Sequence, residues 1–262
     1  MEYRYITLEV QAQQVALLTL RSPQTRNSLH LEMVGELNAA MDELSGRDDV
    51  GALVLTGEGK AFSSGGDLRE MHRRKMEMTE AYEMVKSYYP FIEKLTHLPF
   101  PVIAAINGAA IGAGFNLALA CDLIYASAEA SFSQAFVRVG LTPDMGGTYY
   151  LPRLVGLQRA KELIFSGRLF SAREALEMGL VSKVVEPDKL LPEALEAAAG
   201  FAAGPRVALQ LAKNMLNASY GRNLQESLEV EALCQATCFQ TEDHREGAGA
   251  FLEKRQPRFQ GR

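Results

Sequence analysis

Metal-clustering cysteines, a surplus of basic charge and an apolar leader are all missing from this sequence. Each absence narrows what the chain can be. Cysteine occurs three times in 262 residues, an odd number without metal-ligand spacing. Cys121, Cys234 and Cys238 therefore read as buried thiols in a reducing compartment rather than as a disulfide framework or a metal site. The net charge is -5, and nothing in the pattern calls for nucleic acid. An acidic chain that binds a polyanion must do so with local cations and backbone dipoles. Arg26 and the run His72-Arg73-Arg74-Lys75 are the places for it, although a basic run after a turn also reads as a solvated face. The opening MEYRYITLEV has no apolar core of the signal-peptide kind, which gives the expectation of a cytoplasmic protein. Tryptophan is absent altogether.

What is present is organised around residues 101 to 126, PVIAAINGAAIGAGFNLALACDLIYA. A β-branched apolar run breaks at Asn107-Gly108 and resumes as a small-residue segment that ends in a Leu/Ala helix pattern, which predicts strand, glycine turn and helix. Glycines at 108, 112 and 114 let backbone crowd backbone, so that amides at the helix start face a ligand. Residues 51 to 68, GALVLTGEGKAFSSGGDL, repeat the plan, with Asp67 where a helix would begin. Two such turns can present two amides to one oxygen. A plain structural turn is the alternative reading. The uncharged run also carries Gly108-x-x-x-Gly112, a membrane helix-packing spacing, but Asn107, Asn116, Asp122 and the many small residues argue against a span. The spacing G-x-x-x-G-x-G is not a dinucleotide fingerprint.

In chain order, Tyr5 to Val10 and Val15 to Leu20 alternate like a hairpin, and Ser28 introduces a helix over 29–44 with one apolar face. A buried strand follows at 52–55. The charged, Met-rich stretch from Asp67 to Leu98 breaks at Pro90 and shows no clear core face before a helix over 81–97. Further strands are expected at 122–126 and 180–185, with helices ending at Leu154 and covering 172–178. Near-continuously apolar strands alternating with helices predict a parallel, helix-covered sheet. From Pro187 onward only helices are expected, at 190–202, 205–219, 224–239 and 242–255. Their apolar residues exceed what one side of a core needs.

The segments AFSSGGDL (61–68), residues 101–126 and FSQAFVRVGLTPDMGGTYYLPRLVG (132–156) resemble the crotonase superfamily, the enoyl-CoA hydratase/isomerase family. SAREALEMGLVSKVV (171–185) and FLEKRQPRF (251–259) extend the likeness over essentially the whole chain. The resemblance implies an α/β fold, a ClpP-like ββα superhelix at 1–200 that holds an acyl-CoA site. Residues 201–262 would form a C-terminal helical trimerisation region, giving a homotrimer or a dimer of trimers. It implies an acyl-CoA thioester as partner, neither nucleic acid nor membrane, and no cofactor, coenzyme A being part of the substrate.

Motif matching assigns two oxyanion donors to the amides of Gly66 and Ala113, although most relatives carry Gly where Ala113 stands. Arg26, Ala61, Ser63, Ser64, Asp67, Leu68, Gly112, Asn116, Phe136, Pro143 and Gly147 fall at substrate-binding positions. Hydratases of the family have Glu where this chain has Asn116 and Phe136, neither of which exchanges a proton at neutral pH. It has instead Asp144, in Pro143-Asp144-Met145-Gly146-Gly147. Isomerase members carry an acid at this turn, and one carboxylate suffices for an allylic proton shift, so the expected activity is double-bond isomerisation. An Asp after Pro also reads as a simple turn or cap, Phe136 as core, and Asn116 as a helix residue satisfying backbone groups. The segment 135–156 looks nearest to ring-modifying isomerases of phenylacetate breakdown. Alternatives are a hydratase recruiting Asp67 or Glu70, an Asp-nucleophile dehalogenase, which the missing Trp disfavours, and a non-catalytic binding member.

Overall fold

The computed structural model describes residues 3–73 and 75–262; Arg74 of the basic run lies outside them. Its strands in chain order are β1 (Ile6–Gln11), β2 (Val15–Leu20), β3 (Ala52–Gly57), β4 (Ala61–Ser63), β5 (Val102–Ile106), β6 (Ala109–Ile111), β7 (Leu123–Ser127), β8 (Ser131–Ser133), β9 (Phe170–Ser171) and β10 (Lys183–Val185). The helices are α1 (Leu31–Ser45), α2 (Leu68–Arg73), α3 (Met78–Lys86), α4 (Tyr89–His97), α5 (Ala113–Leu119), α6 (Gly147–Val155), α7 (Leu157–Ser166), α8 (Ala172–Glu177), α9 (Leu190–Ala202), α10 (Arg206–Ala218), α11 (Leu224–Phe239) and α12 (Glu242–Glu253). A six-stranded sheet runs β1-β2-β3-β5-β7-β10, and a second, four-stranded sheet runs β4-β6-β8-β9. Only the β1–β2 and β8–β9 pairs are antiparallel.

Every residue of β3 and β5 is buried, because their side chains alternate between two cores. Leu53, Leu55, Val102, Ala104 and Ile106 join Met33, Leu37 and Met41 of α1 and Phe91 and Leu95 of α4. On the opposite face Ala52, Val54, Ile103 and Ala105 meet Leu190, Ala194 and Ala198 of α9. The smaller sheet is anchored by the rings of Phe115, Phe132 and Phe170, whose centroids lie 5.3, 5.6 and 5.7 Å apart pair by pair.

Helix α10 makes polar contacts with the core. Arg206 donates to the Asp48 and Val50 carbonyls, and Asn217 Nδ2 donates to Thr96 O at 3.2 Å. Between them the buried Lys213 Nζ reaches Asp122 Oδ2 at 2.8 Å and Phe100 O at 3.0 Å. Leu216, Tyr220, Leu224, Leu228, Leu233, Phe251 and Leu252 remain more than half exposed.

Several local expectations need correcting. His30, not Ser28, caps α1, its Nδ1 accepting the Met33 N–H at 3.3 Å. The helix expected over 81–97 is two, α3 and α4, parted at Ser87-Tyr88, and Pro90 sits in the first turn of α4, where a missing N–H is tolerated. Asp122 precedes β7 and turns its carboxylate onto the Val102 N–H at 2.7 Å. The helix α7 was not expected. The three cysteines are unpaired and half-buried. No described helix is long and apolar enough to cross a membrane.

Candidate active site

Two glycine turns leave adjacent strands at the same end. The strands β4 and β6 pair in parallel, Ala61 beside Ala109 and Ser63 beside Ala110. The Ser64-Gly65-Gly66-Asp67 turn and Gly112 follow them. The two backbones touch: a methyl placed on Gly65 would stand 2.6 Å from Ile111 O and 3.2 Å from the Ala113 nitrogen. One placed on Gly114 would stand 2.6 Å from Ser63 Cβ. Gly65 has φ +83° and Gly112 φ +54°, conformations that other residues rarely adopt. Gly65 O accepts the Leu29 N–H at 2.8 Å, and the Gly112 N–H donates to Ser133 O at 2.8 Å. With those groups spoken for, the Gly66 and Ala113 N–H groups meet no acceptor among the described residues. Gly65→Ala is expected to cost about 2 kcal/mol or more, from its backbone conformation and its overlap with Ile111 O, read as a fall in melting temperature.

The third piece is the turn that enters α6. Asp144 O accepts the Asn116 Nδ2 amide and the Gly147 N–H, both at 2.9 Å. Met145 is buried with φ +45°, and Gly146 follows with φ +82°. Asp144 as a whole is half-buried, but its Oδ1 is closed off and has no hydrogen-bond partner. Burial pushes its pKa up to about 6, opposed only by a backbone hydrogen bond. The Phe136 ring is buried and packs on Gly112, its Cζ 3.6 Å from where a methyl on that glycine would stand. Because Asn116 lies one turn along α5 from Ala113, its amide ties the acid-bearing turn to the second glycine turn.

Tyr88 closes the other side. Its hydroxyl donates to Leu29 O at 3.2 Å, next to the Leu29–Gly66 bridge. Its pKa is pushed up to about 12, first by burial and then by the charges of Glu70, Asp144 and Asp67. The Met71 methyl lies over Gly66.

The remaining expected contacts divide into two groups. Arg26 is exposed in the left-handed region and its C=O accepts the Ser64 N–H at 2.9 Å; Leu68 is half exposed, and Pro143 is half-buried beside Asp144. Ala61 is buried in β4, and Gly147 is buried against the Asn116 amide. The side chains of Ser63, Ser64, Asp67 and Asn116 make hydrogen bonds within the protein. Ser63 Oγ donates to Asn27 O at 2.7 Å and Ser64 Oγ to Thr25 O at 2.9 Å. Asp67 Oδ1 caps α2, accepting the N–H groups of Arg69 at 2.9 Å and Glu70 at 3.2 Å. Asn116 is fully buried, with Oδ1 held by Gln134 Nε2 at 2.7 Å. Its alternative reading, a residue satisfying backbone groups, describes what its amide does here.

Gln134, Tyr88 and Asn27 were missed. Asn27 is buried, and its Nδ2 donates to Glu58 O at 3.0 Å and Ala61 O at 2.8 Å. Its only sequence signal is Asn in a turn. For Gln134 the signal was a lone amide between Phe132 and Phe136. Among the described residues no group of His, Cys, Asp and Glu is arranged to hold a metal.

Known proteins resemble this chain in sequence and fold. The family described as Enoyl-CoA hydratase/isomerase matches residues 10–262. The chain is 41% identical over 263 residues, covering all of both chains, to the "Probable enoyl-CoA hydratase" of Rhodobacter capsulatus. It is 38% identical over 97% of each chain to the "Short-chain-enoyl-CoA hydratase" of Clostridium acetobutylicum. The crystal structure of an enoyl-CoA hydratase from Bacillus anthracis superposes with a TM-score of 0.94 at 36% identity, over 99% of this chain and 100% of the other.

Proposed function

The chain belongs to the enoyl-CoA hydratase/isomerase family, and from that premise we propose that it shifts the double bond of an enoyl-CoA thioester, with Asp144 carrying the proton. The observation that carries the reading is the Asp144 carboxylate: one oxygen is buried and unpartnered, and burial holds its pKa near 6. A base poised near the working pH takes a proton and gives it back with the least penalty. With a 3-enoyl thioester, Asp144 removes a proton from C2. The electron pair spreads over the thioester oxygen and C3–C4, and the same proton returns to C4, leaving the double bond at C2–C3.

The charge that develops on the thioester oxygen would be met by the Gly66 and Ala113 N–H groups, donors already fixed by the packing of their turns. One such donor is typically worth ~2.7 to 4 kcal/mol of barrier. Phe136 and Met145 keep the carboxylate dry. Among substrates, the likeness of residues 135–156 to ring-modifying isomerases adds 2-(1,2-epoxyphenyl)acetyl-CoA to the compounds worth assaying.

A second reading, hydration of a 2-enoyl thioester, fits the names of the relatives at least as well. It needs two proton-handling groups. The charges of Asp67 and Glu70 both reach the Tyr88 that Asp144 also reaches, so the pair would be Asp144 with Asp67 or Glu70. Purified protein assayed side by side with 3-enoyl-CoA and 2-enoyl-CoA decides between the readings. The isomerase reading expects turnover of the former and little water addition to the latter, and the reverse result sinks it. The exposed apolar side chains of α10, α11 and α12 support association of copies through this region as a trimer or a dimer of trimers; a monomeric mass in sedimentation would refute that.

A further inference from the structure

We propose that the paired side-chain amides of Gln134 and Asn116 are positioning residues that set the direction of the Asp144 carboxylate; this rests on the isomerase reading above. An asparagine amide has two chemically different ends, and its orientation is fixed only by its partners. Gln134 Nε2 donates to Asn116 Oδ1 at 2.7 Å, which leaves Asn116 Nδ2 facing Asp144 O at 2.9 Å. Were the Asn116 amide to turn over, oxygen would face oxygen and the turn would lose its tether.

The turn needs one. Met145 is a non-glycine residue held at φ +45°, a conformation that persists only where surroundings over-determine it. The surroundings here are the Gly147 N–H and the Asn116 amide on one carbonyl, and Gly147 has no side chain because a methyl there would run into that amide. Gln134 is fully buried and follows Ser133, whose carbonyl accepts the Gly112 N–H at 2.8 Å and whose Oγ donates to Gly167 O at 2.9 Å. One dipeptide thus fixes both the second donor turn and, through Asn116, the acid. Gln134 Oε1 is buried without a partner, so an apolar side chain of similar size would serve packing about as well. The amide is kept for direction rather than for stability.

The test uses the full chain and a 3-enoyl-CoA. Gln134→Leu is expected to lower kcat roughly tenfold to a hundredfold, the scale of a misplacement of about 1 Å, with KM within ~threefold of native. Its melting temperature should fall by no more than a few degrees, because losing the unpartnered Gln134 Oε1 offsets part of the cost of stranding Asn116 Oδ1. The acidic limb of its kcat profile should move to lower pH as water reaches the carboxylate. Asn116→Leu, which removes the donor without adding a titrating group, should show the same loss and decides the matter if Gln134→Leu does not fold. Native kcat and a native acidic limb in either folded variant overturn the inference. Loss of rate only in step with loss of melting temperature overturns it too, since that is what a purely structural residue gives. Asp144→Asn run alongside separates the two claims: if it still turns over, the isomerase reading fails. If it is dead while Gln134→Leu is native-like, that reading stands and the positioning role falls.

Discussion

Asp144→Asn is expected to reduce isomerisation about 10²- to 10⁴-fold, the usual worth of a positioned general acid–base, while acyl-CoA affinity stays within ~threefold of native. The substitution preserves size and leaves the Asp144 carbonyl, which holds the Asn116 amide, untouched. Turnover retained at the native rate would remove the residue from the chemistry. In the native protein, kcat should rise with pH through about 6 as the carboxylate ionises. The same group makes a stability prediction of opposite sense. Its folded pKa lies above the ordinary carboxylate value of 3.8, so the folded state holds the proton more tightly. Stability is therefore lost as pH rises from about 4 through about 6. Above that window Asp144→Asn should be the more stable protein by about 1 kcal/mol, a figure reduced because the residue is half-buried. At pH 4 the difference should vanish. A variant that is inactive yet melts higher at pH 8 and equally at pH 4 is the combined expectation.

The largest expected loss of stability is at Lys213. Its ammonium is buried between the Asp122 carboxylate and the Phe100 carbonyl, and Asp122 Oδ2 also holds the first N–H of β5. Lys213→Met keeps the aliphatic stem but strands the carboxylate and the carbonyl. Removing one partner of a buried pair typically costs 3 to 5 kcal/mol. The side chain of Asp122 is 24% exposed, so water softens the penalty and about 3 kcal/mol is expected, on the order of 10 °C in melting temperature. Adding Asp122→Asn to Lys213→Met should recover part of the loss, because the stranded charge goes with it. Equal melting of native and Lys213→Met would show that α10 is held by its other contacts, Arg206 and Asn217.

Most of the large sheet was legible in the sequence because its physics is local. A strand buried on both faces has to be apolar throughout, and residues 52–55 and 102–106 are. The helix α7 has a readable apolar stripe at Leu157, Ala160, Leu163 and Ile164, but only Ala160 and Leu163 of its ten residues are buried, and the exposed Leu157 and Phe165 blur the face. The second sheet escaped for a different reason: strands of two or three residues give no periodicity, and what holds them is pairing across long loops. At the site, glycines and an acid after proline can be seen in a sequence. Whether Asn116 faces a ligand or a neighbour cannot, since its orientation is set by Gln134, 18 positions away. A buried glutamine has the composition of a surface residue, so its place between Phe132 and Phe136 was the one hint of Gln134's burial.

The parallel pairing of Ala61 with Ala109 has a consequence for synthesis. A chain growing from its N-terminus can pair β4 with β6 early, but the second donor turn is held only once β8 has emerged, because β6 pairs with β8 and Ser133 O takes the Gly112 N–H. On the reading offered above, donor and acid are therefore completed by the same late stretch, and a polypeptide arrested after β6 would lack both.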